Sequence, residues 1–202
     1  MDDFTPDPLS SLVSISRKFD GYISRPDADD LNYMHLTNKL HLVEEYVAVF
    51  PGTLHAIAIS ETRLTKSITS TYNLKDYHVT HSVRVDRKGG DISIYVHHSI
   101  CERTPKILVD VVTPDLNHFL VLEIPSVNTV VAVPYRRPDS LDAERRIDTF
   151  LGEFDKFCLI RSQCMVLGDF NMNQLNTCYQ NKLGDICESN GFALLNEVYC
   201  DV

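Results

Sequence analysis

No two of the six cysteines in this 202-residue chain stand in a CxxC pair, and no histidine pattern accompanies them. Both absences exclude the common zinc-ribbon and zinc-finger spacings. No apolar run approaches the length of a membrane span. No basic segment opens the chain: Met1-Asp2-Asp3 is acidic where a secretory leader would be positive. The cysteines therefore read as free intracellular thiols, mostly core residues. Positive charge is also scarce. Lys and Arg number 19 against 28 Asp and Glu, a net charge of −9. That balance argues against general electrostatic capture of nucleic acid. An enzyme acting on nucleic acid with this charge needs local basic residues at its site, or metal ions to offset its own carboxylates. Internal repeats and long low-complexity tracts are absent too.

What remains is the pattern of a globular domain, with 44% hydrophobic residues to fill one core. Residues 1–30 read as a weakly structured segment, interrupted by Pro6, Pro8 and Pro26, and residues 31–202 as one domain. Leu36, Leu40, Val43, Val47 and Phe50 fall at helical spacing, so a helix is expected from about Asn38 until Pro51-Gly52 stops it. The short apolar run His55 to Ser60 suits a buried strand. A meander of strands follows over Tyr77–Val85, Ile92–His97, Lys106–Val112, His118–Ile124 and Thr129–Val133. Ile92, Ile94 and Val96 alternate with Ser93, Tyr95 and His97, as in a half-buried strand. A second helix is expected from the N-caps Asp139 or Ser140, with Ile147, Phe150, Leu151, Phe154 and Phe157 on its buried face. Cys164–Leu167 reads as a strand, Tyr179–Ser189 as a third helix, and Phe192–Val198 as a last apolar segment. Strands outnumber helices, which suits an α+β or layered α/β sandwich.

Two of the apolar strands end in acid, at Ser60-Glu61-Thr62 and at Gly168-Asp169-Phe170-Asn171. Ligands gather at the carboxyl ends of strands in layered folds. Carboxylates there suit Mg²⁺, a hard cation that prefers oxygen ligands and keeps several waters. Each acid taken singly is equally a strand-ending turn former.

Read in order, five motifs form a series. They are Leu31-Asn32-Tyr33-Met34-His35-Leu36-Thr37-Asn38-Lys39-Leu40, Ile59-Ser60-Glu61-Thr62-Arg63-Leu64, Gly89-Gly90-Asp91-Ile92-Ser93-Ile94-Tyr95-Val96, Val133-Pro134-Tyr135-Arg136-Arg137-Pro138-Asp139-Ser140 and Val166-Leu167-Gly168-Asp169-Phe170-Asn171. The series resembles the endonuclease/exonuclease/phosphatase superfamily. It looks closest to the apurinic-type endonuclease domain of non-LTR (LINE-like) retrotransposons, from about Asn32 to Val202. The resemblance implies a four-layer α/β/β/α sandwich of the DNase I type and Mg²⁺- or Mn²⁺-dependent phosphodiester hydrolysis. It implies DNA as partner, a reverse transcriptase domain outside this chain, and an intracellular, nuclear setting without a membrane.

The same resemblance assigns roles. Asn32 matches the early Asn that positions metal and phosphate, and Glu61 the metal-binding Glu. Tyr135 matches the Tyr that contacts the scissile phosphate. Asp169 matches the acid that orients or deprotonates the attacking water, and Asn171 the Asn that stabilises the transition state. Arg63, Arg136 and Arg137 stand beside these motifs as candidate phosphate contacts. A solvated surface charge is the plain alternative for the arginines, a half-buried core aromatic for Tyr135, and a helix cap for Asn32.

Three departures from the family pattern carry expectations of their own. The stretch Arg25–Asp30, before Asn32, is a poor strand where the family has an apolar one. Met34 and His35 stand where Arg-Ser is common. The family's closing Ser-Asp-His strand has no match, and no His follows His118. The chain is therefore expected to lack that last strand with its late Asp and His. An inactive truncated copy, or a phosphatase or lipid phosphodiesterase on the same fold, are the competing readings.

Overall fold

The strands of the meander divide between two four-stranded sheets in a computed structural model of the chain. It describes residues 12–15, 36–64, 69–84, 90–113, 117–137, 143–158, 164–168, 170 and 177–191. The chain falls into two units, Met1–Arg137 with Gln163–Phe170, and Pro138–Ser162 with Asn171–Val202.

The first unit holds both sheets. Strands β1 (Leu12–Ile15), β2 (Ala56–Ser60), β3 (Tyr77–Ser82) and β4 (Ile92–His97) form one, in the order β1-β2-β4-β3. Strands β5 (Lys106–Val112), β6 (His118–Ile124), β7 (Thr129–Tyr135) and β8 (Cys164–Val166) form the other, in chain order. Helix α1 (Leu36–Val49) lies in the chain between β1 and β2, which run parallel. A parallel pair needs such a crossover, because a tight hairpin joins only antiparallel strands. The second parallel pair, β7 and β8, likewise brackets a helix in the chain, α2 (Ala143–Cys158). All other neighbours are antiparallel.

Alternation along the strands sorts side chains into two cores. Ala58, Ile92, Ile94 and Val96 of the first sheet meet Leu120, Leu122, Ile124, Val131, Val133 and Tyr135 of the second. The opposite face of the first sheet presents Ile57, Ile59, Tyr77 and Tyr95 to Val43 of α1, with Leu40, Val47 and Phe50 packed against the same cluster. Burying a Leu, Ile or Val side chain contributes roughly 1.5–3 kcal/mol, so these layers supply most of the unit's cohesion.

The second unit contains α2 and α3 (Thr177–Ser189). Ile147, Phe150, Leu151 and Phe154 of α2 are buried. Polar bonds join its two helices: Lys182 Nζ to Asp148 Oδ1 at 2.6 Å, and Asn190 Nδ2 to Asp155 Oδ1 at 2.8 Å.

Several expectations change in detail. Within residues 1–30, read as weakly structured, Leu12–Ile15 forms a strand paired with Ala56–Ile59. Strand β4 is not half-buried: Ser93 and Tyr95 are as inaccessible as Ile92 and Ile94, because the second sheet covers one face and the α1 cluster the other. Helix α2 is described from Ala143, and residues 138–142 and the segment Phe192–Val198 lie outside the described residues. Cys101, Cys164 and Cys187 are free, and burial pushes the Cys164 thiol up to about 11. Among the described residues no helix is long and apolar enough to cross a membrane.

Candidate active site

Strand register brings one set of strand ends together. In the first sheet Ser60 and Ser82 both stand opposite Ile92. In the second, His118 stands opposite Tyr135 on one side and Val112 on the other. Side-chain links join these ends across the sandwich. The Tyr135 hydroxyl donates to Glu61 Oε1 at 2.5 Å, and His118 Nδ1 meets the Gly90 carbonyl oxygen at 2.8 Å. The mouths of β2, β3, β4, β6 and β7 therefore share one end of the sandwich.

Glu61 follows β2 directly. Its φ is +56°, and that of Arg63 is +52°, both in the left-handed region. Each costs about 1–2 kcal/mol for a residue with a Cβ, and such outliers gather where function fixes geometry. Two bonds hold the turn. The Thr62 amide donates to the Asp91 carbonyl at 3.3 Å, and Tyr135 holds the Glu61 carboxylate. Tyr135 is itself buried at the end of β7, so its hydroxyl is a fixed reference for the carboxylate.

The residues that follow β8, Leu167 and Gly168, are seated just as tightly. The Leu167 amide donates to the Ala132 carbonyl at 2.9 Å. A Cβ on Gly168 would lie 2.2 Å from the Pro134 carbonyl oxygen, so only glycine permits this approach. Two residues on, the Phe170 carbonyl accepts from Arg136 Nε at 2.8 Å. Gly168 and Phe170 are thus pinned to Pro134 and Arg136, the two neighbours of Tyr135.

Of the residues picked out in the sequence, Glu61 and Tyr135 are brought into contact. Arg63 is half-buried beside Glu61, and Arg137 is exposed just past β7. Arg136 is 3% exposed and its Nε donates to the Phe170 carbonyl, so the alternative of a solvated surface charge does not hold. Asn32, Asp169 and Asn171 lie outside the described residues. Strand β1 ends at Ile15, so Asn32 is not the residue that follows it.

Sequence reading missed a second group at this end. Gly90 adopts φ +82°, and a Cβ there would meet Arg84 Nη1 at 2.2 Å and Tyr135 Cε1 at 3.0 Å. Asp91 is buried; its Oδ1 accepts the Arg84 amide at 2.8 Å. Burial raises the Asp91 carboxyl above the ordinary range, against the opposing pull of that amide, His118 and Arg84. Ser82, Asp110 and His118 form the remainder. The Gly89–Val96 motif marked Gly90 and Asp91 in the sequence without a role for either, and nothing there marked Ser82, Asp110 or His118 as a group.

The resemblance implies a divalent metal here. The donor chemistry fits a hard cation, since the acids at these strand ends offer oxygen. Among the described residues no three His, Cys, Asp or Glu side chains converge as ligands. The buried Thr62 hydroxyl, next to Glu61, has no partner among the described residues. Such an orphan marks a place for a water or an ion.

No protein-family model and no curated protein sequence matches this chain. Solved structures do match. A humanized TDP2 of D. rerio carrying 14 mutations superposes with TM-score 0.54 at 12% identity, over 87% of this chain and 65% of that one. A 3′ phosphatase, NExo, from Neisseria, bound to a product DNA hairpin, gives 0.55 at 12% identity over 75% and 67%. An AP endonuclease from Archaeoglobus fulgidus gives 0.50 at 12% identity over 77% and 67%. The chain spans about two-thirds of the length of these structures. The α+β fold is therefore of the DNase I type.

Proposed function

We propose that this chain is a divalent-metal-dependent phosphodiesterase domain whose substrate is DNA, a nicking endonuclease of the non-LTR retrotransposon kind. The observation that carries the reading is the Tyr135–Glu61 hydrogen bond. It joins two motifs 74 residues apart at the shared mouth of the sheets, with Glu61 held in a strained conformation. The superfamily motifs and the DNase I-type fold favour phosphoryl transfer. The wording of the Glu61 and Tyr135 motifs favours DNA and a reverse transcriptase partner domain elsewhere.

Mg²⁺, when bound, would supply a Lewis acid for the phosphate oxygens. The chain's own residues do the rest. Glu61, with Asn32, would hold the ion. Tyr135 orients the Glu61 carboxylate and lines the phosphate's approach. Asp169 would direct the attacking water, and Asn171 would donate to charge developing on phosphorus-bound oxygen. Arg63 and Arg137 would grip flanking phosphates, local positive charge that a −9 chain requires. Arg136 fixes Phe170, which stands in the sequence between Asp169 and Asn171.

Glu61→Gln tests the reading. Glutamine keeps an oxygen for the Tyr135 hydroxyl and removes the charge. Nicking of supercoiled plasmid should need Mg²⁺, stop with EDTA, and fall about 10²–10³-fold in the variant, at unchanged melting temperature. EDTA-resistant nicking, or full activity of Glu61→Gln, would sink it. The acidic surface favours a second reading, a phosphomonoesterase. That would release phosphate from small monoesters and leave the plasmid closed.

A further inference from the structure

The Ser82–His118–Asp110 group has no part in the chemistry above, although it lies at the same end of the sandwich. His118 is fully inaccessible. Its Nδ1 faces the Gly90 carbonyl at 2.8 Å, and a carbonyl only accepts, so Nδ1 donates. Its Nε2 lies 2.7 Å from Ser82 Oγ and 3.3 Å from Asp110 Oδ1, and the Ser82 hydroxyl donates to Asp110. This is not a nucleophile triad. In that arrangement the acid and the serine sit on opposite ring nitrogens, whereas here both sit on Nε2 and the ring never reaches solvent. The group must act on the protein itself.

We propose that His118 is a positioning residue for the Glu61–Tyr135 pair, acting through the Gly90–Asp91 segment. The ring anchors the Gly90 carbonyl. Gly90 then lies directly against the Tyr135 ring, at a φ that only glycine tolerates well. Asp91, the next residue, gives its carbonyl to the Thr62 amide. Thr62 follows Glu61, whose carboxylate receives the Tyr135 hydroxyl. One ring nitrogen therefore sets the segment against which both members of the pair are registered. The other nitrogen ties β6 to β3 and β5, a link between sheets that serves stability alone.

The two roles separate by substitution. His118→Asn keeps a donor near the position of Nδ1 and loses the Ser82 side. His118→Gln reaches toward Ser82 and Asp110 and loses the Gly90 bond. Ser82→Ala leaves the Gly90 bond intact and removes the cross-sheet link without altering the ring, should either His118 variant fail to fold. The readouts are melting temperature, exchange protection of the Thr62 amide relative to amides of β6, and kcat and KM for plasmid nicking.

The expected result is asymmetric. His118→Gln should lose about 100-fold in kcat, with Thr62 exchange accelerated at least tenfold. His118→Asn and Ser82→Ala should melt lower than wild type yet stay within about threefold in kcat, with Thr62 protected. Equal kcat losses in His118→Gln and Ser82→Ala, or unchanged Thr62 protection in His118→Gln, would overturn the proposal. It rests on the assignment of Glu61 and Tyr135 as the site, but Thr62 exchange is read without substrate. An inactive wild type would overturn that assignment, while the exchange asymmetry would still decide whether His118 positions the Glu61 turn.

Discussion

Alanine at Gly168 is the sharpest perturbation of the seam between β7 and β8. The added methyl would lie 2.2 Å from the Pro134 carbonyl oxygen and 2.9 Å from its Cδ, and Cβ atoms essentially never come within 3.0 Å of such neighbours. The nearest obstacle is backbone in a strand, so no rotamer change relieves it. The chain at 168 and β7 must separate by close to an ångström. Overpacking of this kind costs about 1–3 kcal/mol. In a domain this size each kcal/mol lowers the melting temperature by roughly 2–4 °C, so a drop of about 2–12 °C is expected. The same displacement falls between Leu167, bonded to Ala132, and Phe170, bonded to Arg136. A misplacement of about 1 Å near reacting groups costs about 100-fold in rate. Thermal unfolding and plasmid nicking of Gly168→Ala measure both effects. A variant that melts and nicks like wild type would refute the close approach of residue 168 to Pro134.

Gly152 in α2 and Gly184 in α3 have nothing within 4 Å of a built Cβ, so alanine at either should stabilise its helix by about 1 kcal/mol, read as a higher melting temperature. Burial lowers His81 and His97, the latter also under the influence of His55 and His98. The folded state then binds fewer protons than the unfolded chain below the ordinary histidine value of about 6.5. Stability should fall as pH drops through that value, and denaturant titrations at pH 7.5 and 5.5 give the sign. Asp91 behaves the opposite way. Burial raises its carboxyl, so holding it ionised weakens the fold as pH rises through the carboxylate range. Asp91→Asn keeps an oxygen for the Arg84 amide and should melt higher than wild type at pH 7, with the gap closing in acid. A lower melting temperature at pH 7 would mean that the pull of Arg84 and His118 outweighs burial.

Much of the fold was legible because local chemistry agrees with tertiary use. Leu40, Val43 and Val47 recur at helical spacing and all three serve the α1 cluster. Ile92, Ile94 and Val96 alternate and all three enter the core between the sheets. The second face of β4 was not legible. Ser93 reads as polar and outward, yet its hydroxyl meets His81 Nδ1 at 2.7 Å on the neighbouring strand, and that bond lets it be buried. Strand β1 escaped for a different reason. Four residues, Leu12-Val13-Ser14-Ile15, carry too short a period to stand out, and their pairing with β2 becomes visible only once α1 is placed as the crossover.

The site divides along the same line. That Glu61 and Tyr135 belong together was legible because each closes an apolar strand and falls within one of the ordered motifs. The burial of Arg136 was not legible because its partner, the Phe170 carbonyl, lies 34 residues away and has no side-chain signature. Ser82, Asp110 and His118 were invisible for the strongest reason. The serine and the histidine stand 36 residues apart, and neither is unusual at the edge of a strand. Only the register, which sets His118 opposite Tyr135 and Ser82 opposite Ile92, makes them neighbours of the Glu61 turn. A one-residue slip of β6 would turn the imidazole to the other face and leave the Gly90 carbonyl without its donor. Register therefore couples folding to the site: the pairing that buries Leu120 and Leu122 between the sheets also delivers the ring nitrogen to Gly90.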